Sequence, residues 1–459
     1  MVQARNGSIF SLVIVLSIAA LLVACGGGSG GGSTSSPPGV SAGSGSLAVQ
    51  IKDAPLDNLV KFEITVVNIT LNPGNVSVLP SPKEIELTSL QLQPELIRLA
   101  SNIPAGTYTS VTLQLQNAEI RFCPNPPAAC TAQSVQEREF NQSFVVSRNV
   151  NITVTSGQTL GLLIDFDLAA SITQTSLDIT GVNPTFTVSV VNLANQQDEF
   201  EGTGRVVSVN RQSATAGTFV LEVFGPCQQL TITVDANTEF EHFADNFNSL
   251  AANQVVEVEA DLQTGGTLLA KEVEMEEAQE GNDVEGVIIS VDRSGTTQEV
   301  NSFTLVLHEV LPCSLTPPAS DLLTVTVNTS TQFRIDDDGL SVNTSFFDDR
   351  RDLDVGQKVE VDPVGTLSTS ITAEKIKLKD QVIRGTVNGT PTPPEFELDP
   401  ASDLFPDASI TVVTSSGTEF EGVTGVSGLA AGRTVRVRGL LFRTGSDQQS
   451  MVAKKVRAE

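Results

Sequence analysis

The chain has 459 residues and a formal net charge of −27 at pH 7. It is long enough for several domains, and acidic enough to exclude nucleic acid and anionic headgroups as general partners. With 21 Phe, one Tyr and no Trp, it is poor in the rings that stack sugars and bases.

The N-terminal segment comes first. Arg5 precedes an apolar stretch from Ile9 to Val23, broken only by Ser11 and Ser17. This is too short, and too closely followed by small residues, to be a good transmembrane helix. It reads as a signal peptide over residues 1–24. The stretch ends Leu22-Val23-Ala24-Cys25, which resembles the lipobox of bacterial lipoproteins: a branched apolar residue three before the cysteine, with small residues beside it. The resemblance implies that Cys25 becomes the mature N-terminus and carries palmitate-type acyl chains. Each buried CH₂ of such a chain contributes roughly 0.8 kcal/mol, so the lipid, not charge, is the expected link to a membrane. Residues 25–45 are rich in Gly and Ser, a composition that makes a flexible tether. Gly26 stands where Asp would signal inner-membrane retention, so the same resemblance implies the outer membrane of the cell envelope. Gly39-Val40-Ser41-Ala42-Gly43 spells a nucleophile elbow, but it lies in the tether without a strand before it or a helix after it.

Residues 46–195 alternate apolar and polar positions in several runs. Leu47, Val49 and Ile51 form one; Phe62, Ile64 and Val66, then Val111, Leu113 and Leu115, then Leu162, Ile164 and Phe166 form others. Period two with one apolar face means half-buried antiparallel strands, and their number suits a β-sandwich. The stretch from Ser89 to Ala100 is the one place for a helix or loop. Three motifs here, Leu47-Ala48-Val49-Gln50-Ile51-Lys52-Asp53-Ala54-Pro55, Ile103-Pro104-Ala105-Gly106-Thr107-Tyr108 and Leu163-Ile164-Asp165-Phe166-Asp167, resemble domain of unknown function 4382. That family implies a prealbumin- or immunoglobulin-like sandwich and no established chemistry.

The remainder repeats one plan three times, over residues 200–277, 283–380 and 382–459. Each repeat opens with a Gly (Gly204, Gly286, Gly385) and continues with a Phe-centred strand (Phe219, Phe303, Phe396). A Thr-x-Phe step follows (Thr238, Thr331, Thr418), then a leucine (Leu250, Leu353, Leu429) and a closing alanine strand (Ala270, Ala373, Ala453). The repeats resemble domain of unknown function 5666. Five short strands with glycine bends would close as a small OB-like barrel, and the recurrence predicts three separately folding units. The fold class is thus all-β: a sandwich followed by three barrels, the middle one enlarged by insertions.

Besides Cys25 there are four cysteines. Cys123 and Cys130 bracket a short proline-rich loop, and a local disulfide is expected there in an oxidising compartment. Cys227 and Cys313 occupy equivalent places in the first two repeats. A bridge needs Cα atoms within about 7 Å, whereas equivalent points of tandem repeats lie one repeat apart. Two free thiols, or pairing with another chain, are therefore expected over a bridge.

Catalysis finds little support. The two histidines, His242 and His308, lie in different repeats outside any His-Glu-x-x-His pattern, and both read as surface residues. Asp336, Asp338 and Asp348 crowd into one insertion and could hold calcium, although their spacing is not that of an EF-hand and a solvated acidic loop is the preferred reading. No other cofactor is indicated. Asp53, Asp57, Asp165 and Asp167 form a second acidic group, with Asp165 and Asp167 facing away from the core. In the last repeat Arg436 and Arg438 alternate with Val435 and Val437, and Lys455 follows. Such a strand face could bind a polyanion, or pack on an acidic neighbour such as the run from Glu272 to Glu285.

These readings converge on a non-enzymatic, lipid-anchored envelope protein acting as a binding, adhesion or scaffold module. An unidentified envelope protein or polysaccharide is the expected partner. The alternative is an accessory subunit of an exported enzyme system.

Overall fold

The computed structural model describes residues 43–459 except 55, 93, 125–129, 131–133, 176–177, 192–199, 225–226, 264–265, 277–282, 296, 312–314, 338–339, 406–408 and 446–447. Cys25, Cys313, Asp338, the signal segment and most of the tether lie outside the described residues. No helix among the described residues is long and apolar enough to cross a membrane.

The first strands are β1 (Ser44–Ala54), β2 (Leu59–Asn72), β3 (Val76–Ser77), β4 (Lys83–Glu86), β5 (Glu95–Pro104), β6 (Gly106–Phe122), β7 (Gln136–Val154) and β8 (Thr159–Asp167). Then come β9 (Ile172–Gln174), β10 (Ile179–Val182) and β11 (Phe186–Val191). One sheet has the order β11-β8-β1-β5, the other β3-β2-β6-β7 with β4 on β2. The alternating apolar residues of both sheets meet in one core, including Val49, Ile51, Ile64, Leu113 and Ile164. Tyr108 is 4% exposed, and its hydroxyl donates to Pro104 O at 2.8 Å. That bond ties the Pro-Ala-Gly turn to the strand leaving it, much as a tyrosine corner does.

The segment read as helix or loop is corrected from Glu95 onward: the described residues before it are loop, but β5 is a strand, paired antiparallel with β1. Its pattern was ambiguous because both faces are covered. Ile97 points into the sandwich core, while Leu96 and Ala48 pack into the core of the first barrel.

The first barrel comprises β12 (Phe200–Arg211), β13 (Gly217–Val223), β14 (Gln228–Val234), β15 (Glu239–Glu241), β16 (Val255–Leu262) and β17 (Leu268–Met275). The second comprises β18 (Asp283–Arg293), β19 (Val300–Leu311), β20 (Leu322–Thr326), β21 (Gln332–Ile335), β22 (Lys358–Pro363) and β23 (Ser370–Lys379). The third comprises β24 (Gln381–Thr392), β25 (Glu395–Pro400), β26 (Ile410–Val413), β27 (Glu419–Glu421), β28 (Thr434–Gly445) and β29 (Gln448–Ala458). In the first, β14-β13-β12-β16-β17 form a ring that the parallel pair β14–β17 closes, and β15 lies parallel on β17. The other two repeat this order, which is the OB-like arrangement.

The repeated residues each have a mechanical reason. A Cβ at Gly204, Gly286 or Gly385 would sit 2.5, 2.0 or 2.3 Å from a carbonyl oxygen of the adjacent strand, so only glycine fits. Phe219, Phe303 and Phe396 fill the barrel centres. The Thr and Ala of the plan meet each other. The Thr238, Thr331 and Thr418 hydroxyls donate to Ala270 O, Ala373 O and Ala453 O at 2.8, 2.9 and 2.8 Å. Each hydroxyl also accepts from the backbone N–H three residues earlier.

The cores are not separate. Leu440 and Phe442 of β28 pack into the core of the second barrel. Val287, Ile289 and Val306 pack with Val60, Cys123 and Cys130 of the sandwich and Leu404 of the third barrel. Cys123 and Cys130 form a disulfide with a Cα separation of 5.5 Å. Cys227 is disulfide-bonded too, which corrects the expectation of a free thiol. The assumption that equivalent repeat positions stay far apart fails here, because Phe224 and Val255 of the first barrel pack against Leu311 of the second.

Two consequences can be measured. Thr331→Val should lower stability by about 1–3 kcal/mol in urea unfolding, since it leaves Ala373 O and the Asn328 N–H without their hydroxyl. Thr331→Ser should recover most of the loss; equal losses in both variants would contradict this role. Phe442→Ala should cost about 3–5 kcal/mol and raise amide exchange in β19 and β22 of the neighbouring barrel, not only in β28. Exchange confined to the third barrel would show that the cores act independently.

Candidate functional site

The three barrels turn the same strand face toward a common centre. Gly204, Gly286 and Gly385 lie opposite Val256, Val359 and Val435. One step along the ladders, Thr203 pairs with Glu257, Glu285 with Glu360, and Arg384 with Arg436. These side chains alternate with core valines, so they point outward from each barrel. Across to the last strand, Glu257 and Glu259 face Glu274 and Glu272; Glu360 and Asp362 face Lys377 and Lys375; Arg436 and Arg438 face Arg457 and Lys455. The equivalent face is therefore acidic in the first barrel, mixed in the second and basic in the third.

The basic face is occupied from within. Arg438 bonds Asp380 and, at 3.0 Å, Glu201 of the first barrel. Arg436 meets Glu459 at 2.7 Å and donates to Gln91 O of the sandwich at 3.1 Å. Lys455 lies 3.7 and 3.6 Å from Glu419 and Glu421. Arg436, Arg438 and Lys455 therefore form no open anion-binding surface. A carboxylate that Arg438 meets in the first barrel is Glu201.

Of the expected calcium group, Asp338 lies outside the described residues. Asp336 pairs with Lys379 and, at 3.8 Å, with Lys377. Burial pushes its carboxyl up, but the two lysines outweigh that and hold it down at about 2. Asp348 is exposed and its N–H donates to Asp352. Asp57 pairs with Arg384 at 2.9 Å, Asp165 with Lys52 at 3.2 Å, and Asp167 caps the short helix Leu168–Ser171. Asp53 stands apart: it is 2% exposed, and neither carboxyl oxygen has a partner among the described residues. Burial, with Glu86 nearby, raises it to about 9.

Where the faces converge on the sandwich lies a cavity of about 350 Å³. Gln50 and Glu95 of the sandwich line it, with Phe200 and Glu257 of the first barrel, Glu285, Glu309 and Lys358 of the second, and Arg438 of the third. Lys358 and Glu285 form an ion pair at 2.7 Å. Glu95, Glu257, Glu309 and Glu360 make no salt bridge and no side-chain hydrogen bond among the described residues. Burial raises Glu95 to about 7, and Glu257 and Glu309 to about 8.

His308 also lines this cavity, which corrects its reading as a surface residue. Its side chain is 6% exposed because β19 packs on the sandwich, and its Nε2 lies 2.9 Å from Val60 O. Burial keeps its ring neutral more readily than in water, and Glu86 opposes that at 3.8 Å. His242 is on the surface as expected, beside Glu274 at 3.1 Å.

A second cleft, of about 720 Å³, lies between the sandwich and the second barrel, and ion pairs line its wall. Lys61 touches Glu63, Glu119 and Asp321 at 3.1, 3.6 and 3.5 Å, and Arg121 donates to both oxygens of Asp321. These pairs join the two bodies, and Glu95, His308 and Glu309 line this cleft as well.

Sequence reasoning missed the cavity carboxyls. The Val-Glu-Val-Glu alternation of β16 was visible, but nothing in one chain's pattern says that a polar strand face will be buried by another repeat.

Residues 44–184 match the family model described as Domain of unknown function (DUF4382). Residues 203–274 and 384–457 match the one described as Domain of unknown function (DUF5666). The second barrel has the same topology, with insertions, outside the matched regions. No curated protein matches the chain.

One buried carboxyl pair sets a pH dependence. Asp283 is 8% exposed and lies beside Asp362, whose Oδ1 has no hydrogen-bond partner among the described residues. Glu360 faces the pair, and Lys375 binds Asp362 at 3.2 Å. Burial and then Asp362 raise Asp283 from 3.8 to about 9. The unfolded chain releases this proton near pH 4 while the folded chain keeps it to about pH 9, so this group's contribution to stability falls as pH rises between those values. Asp283→Asn should therefore stabilise the protein at pH 8 by on the order of 1–3 kcal/mol, with the gain shrinking toward pH 4. A gain that does not change with pH in urea titrations would contradict the assignment.

Proposed function

We propose that this chain is a lipid-anchored, non-catalytic binding module of the bacterial cell envelope, and that its ligand site is the junction cavity. The observation that carries the reading is the cavity's construction. Its walls come from the sandwich and all three barrels, and they hold half-buried carboxyls that form no ion pair among the described residues. A protein gains no stability from desolvated, unmatched carboxyls, so their retention is better explained by a ligand than by folding.

The binding role is preferred to surface adhesion because the chemically unspent groups face inward. A catalytic role has less support: His308 contacts a backbone carbonyl and no nucleophile, and His242 is paired with a glutamate at the surface. The Leu22-Val23-Ala24-Cys25 sequence and the Gly/Ser-rich residues after it support the anchor, and Gly26 supports the outer membrane over the inner.

Two experiments test the two halves. Cys25→Ala should move the protein from the membrane to the soluble fraction in detergent partitioning; retention in the membrane would overturn the anchor. In thermal-shift screening of small polar compounds, at least one chemical class should raise the melting temperature of the wild type. The same class should fail with Thr203→Trp, which fills the cavity from β12. If no class shows that difference, the cavity is not a binding site.

A further inference from the structure

The charge inventory of the cavity specifies its ligand more closely, given the binding role proposed above. Its cations are spent: Lys358 is paired with Glu285, Lys379 with Asp336, and Arg438 with Asp380 and Glu201. An anionic ligand would have to displace one of these. The carboxyls Glu95, Glu257, Glu309 and Glu360 form the surplus.

Independent of charge, two deeply buried groups offer lone pairs that no donor among the described residues fills. Gln50 is 7% exposed, and its Oε1 receives no hydrogen bond. The His308 side chain is 6% exposed, with its Nε2 on Val60 O. A neutral ring that donates from Nε2 leaves Nδ1 as an acceptor; that atom has no hydrogen-bond donor, and the Glu86 carboxylate lies 3.8 Å from it. Both residues line the cavity. Acceptors and carboxylates together call for a ligand that donates several hydrogen bonds and carries positive charge, which describes an ammonium group.

The surplus is spread out. Glu309 senses Glu95, Glu285 and Glu86, whereas Glu257 senses Lys379, Asp336, Glu201 and Glu276. Neither Glu95 nor Glu309 belongs to any group of three acidic or histidine ligands whose atoms lie within 4.8 Å of one another among the described residues. A divalent metal ion needs several oxygens converging on one point. Glu257 does converge with Glu276 and Asp336, and Glu360 with Asp283 and Asp362, but Lys377 binds Glu276 and Asp336, Lys379 binds Asp336, and Lys375 binds Asp362. Between the acidic positions the walls are apolar, with Leu96, Phe200, Leu268 and Val287.

We propose that the junction cavity binds a linear aliphatic diamine, one ammonium directed to Glu95 and Glu309, the other to Glu257 and Glu360. The alkyl chain lies along the apolar wall. A volume of about 350 Å³ accommodates a ligand of this size. The raised values of Glu257 and Glu309 fit the same picture, since an ammonium ion supplies the charge that would let them ionise.

Isothermal titration of the full chain with 1,4-diaminobutane and 1,5-diaminopentane at pH 8 tests this. The expected result is saturable one-site binding, absent with 1,4-butanediol, with magnesium chloride and with sodium chloride of matched ionic strength. Glu309→Gln and Glu257→Gln, each folded by circular dichroism, should weaken affinity about tenfold. No saturable heat from either diamine, an equal response to the diol or to magnesium, or unchanged affinity in both variants overturns the assignment. The two levels separate cleanly. If another chemical class binds and Thr203→Trp abolishes it, the cavity remains the site and the diamine is wrong. If Thr203→Trp leaves diamine binding intact, the cavity is not the site.

Discussion

The arrangement depends on charges of opposite sign being carried on equivalent faces of a repeated barrel. Arg438 of the third barrel reaches Glu201 of the first. Lys377 of the second reaches Glu276, just after the last strand of the first. Taking each ion out of water costs several kcal/mol unless its partner and hydrogen bonds are in place. Identical faces could not meet in this way, because like charges would be desolvated together. Divergence of the three faces from acidic to mixed to basic lets one fold pack against its own copies.

Apolar packing completes what the ion pairs orient. A barrel of this size buries a modest fraction of its surface and is marginal alone. Here the deficit is met by neighbours: Leu440 and Phe442 enter the second barrel's core, and Ala48 and Leu96 enter the first's. The contact that β5 gives the first barrel is also what hid that strand's alternation. The repeat plan described each barrel well, yet the expectation of separate folding units meets a structure in which cores cross every boundary.

The legible parts of the sequence were those governed by local geometry. The opening glycines, the central phenylalanines and the Thr–Ala contacts recur because each barrel must solve the same packing problem, so they surface as a spelling. Cys123 and Cys130 were legible because they stand only seven positions apart. What was not legible depends on how separate units meet. His308, Gln50 and Glu309 look like ordinary strand residues until β19 is laid against β2, and Asp283 and Asp362 come from strands on either side of a long insertion. Arg436 and Arg438 showed the correct strand face, but the sequence could not say that Glu459, Gln91 and Glu201 would already occupy it.

The position of β1 has a mechanical consequence. It follows directly on the Gly/Ser-rich segment and lies inside its sheet, between β8 and β5. Its pairing with β8 is parallel and runs without a register shift from Ser46 to Ala54. Tension transmitted along the chain from its N-terminal side therefore pulls β1 along its own axis. The hydrogen bonds of that ladder are loaded together in shear and not opened one at a time. Resistance to such a pull is set by the unfolding rate and not by equilibrium stability. The strand through which any N-terminal attachment must act is thus among the hardest in the molecule to draw out.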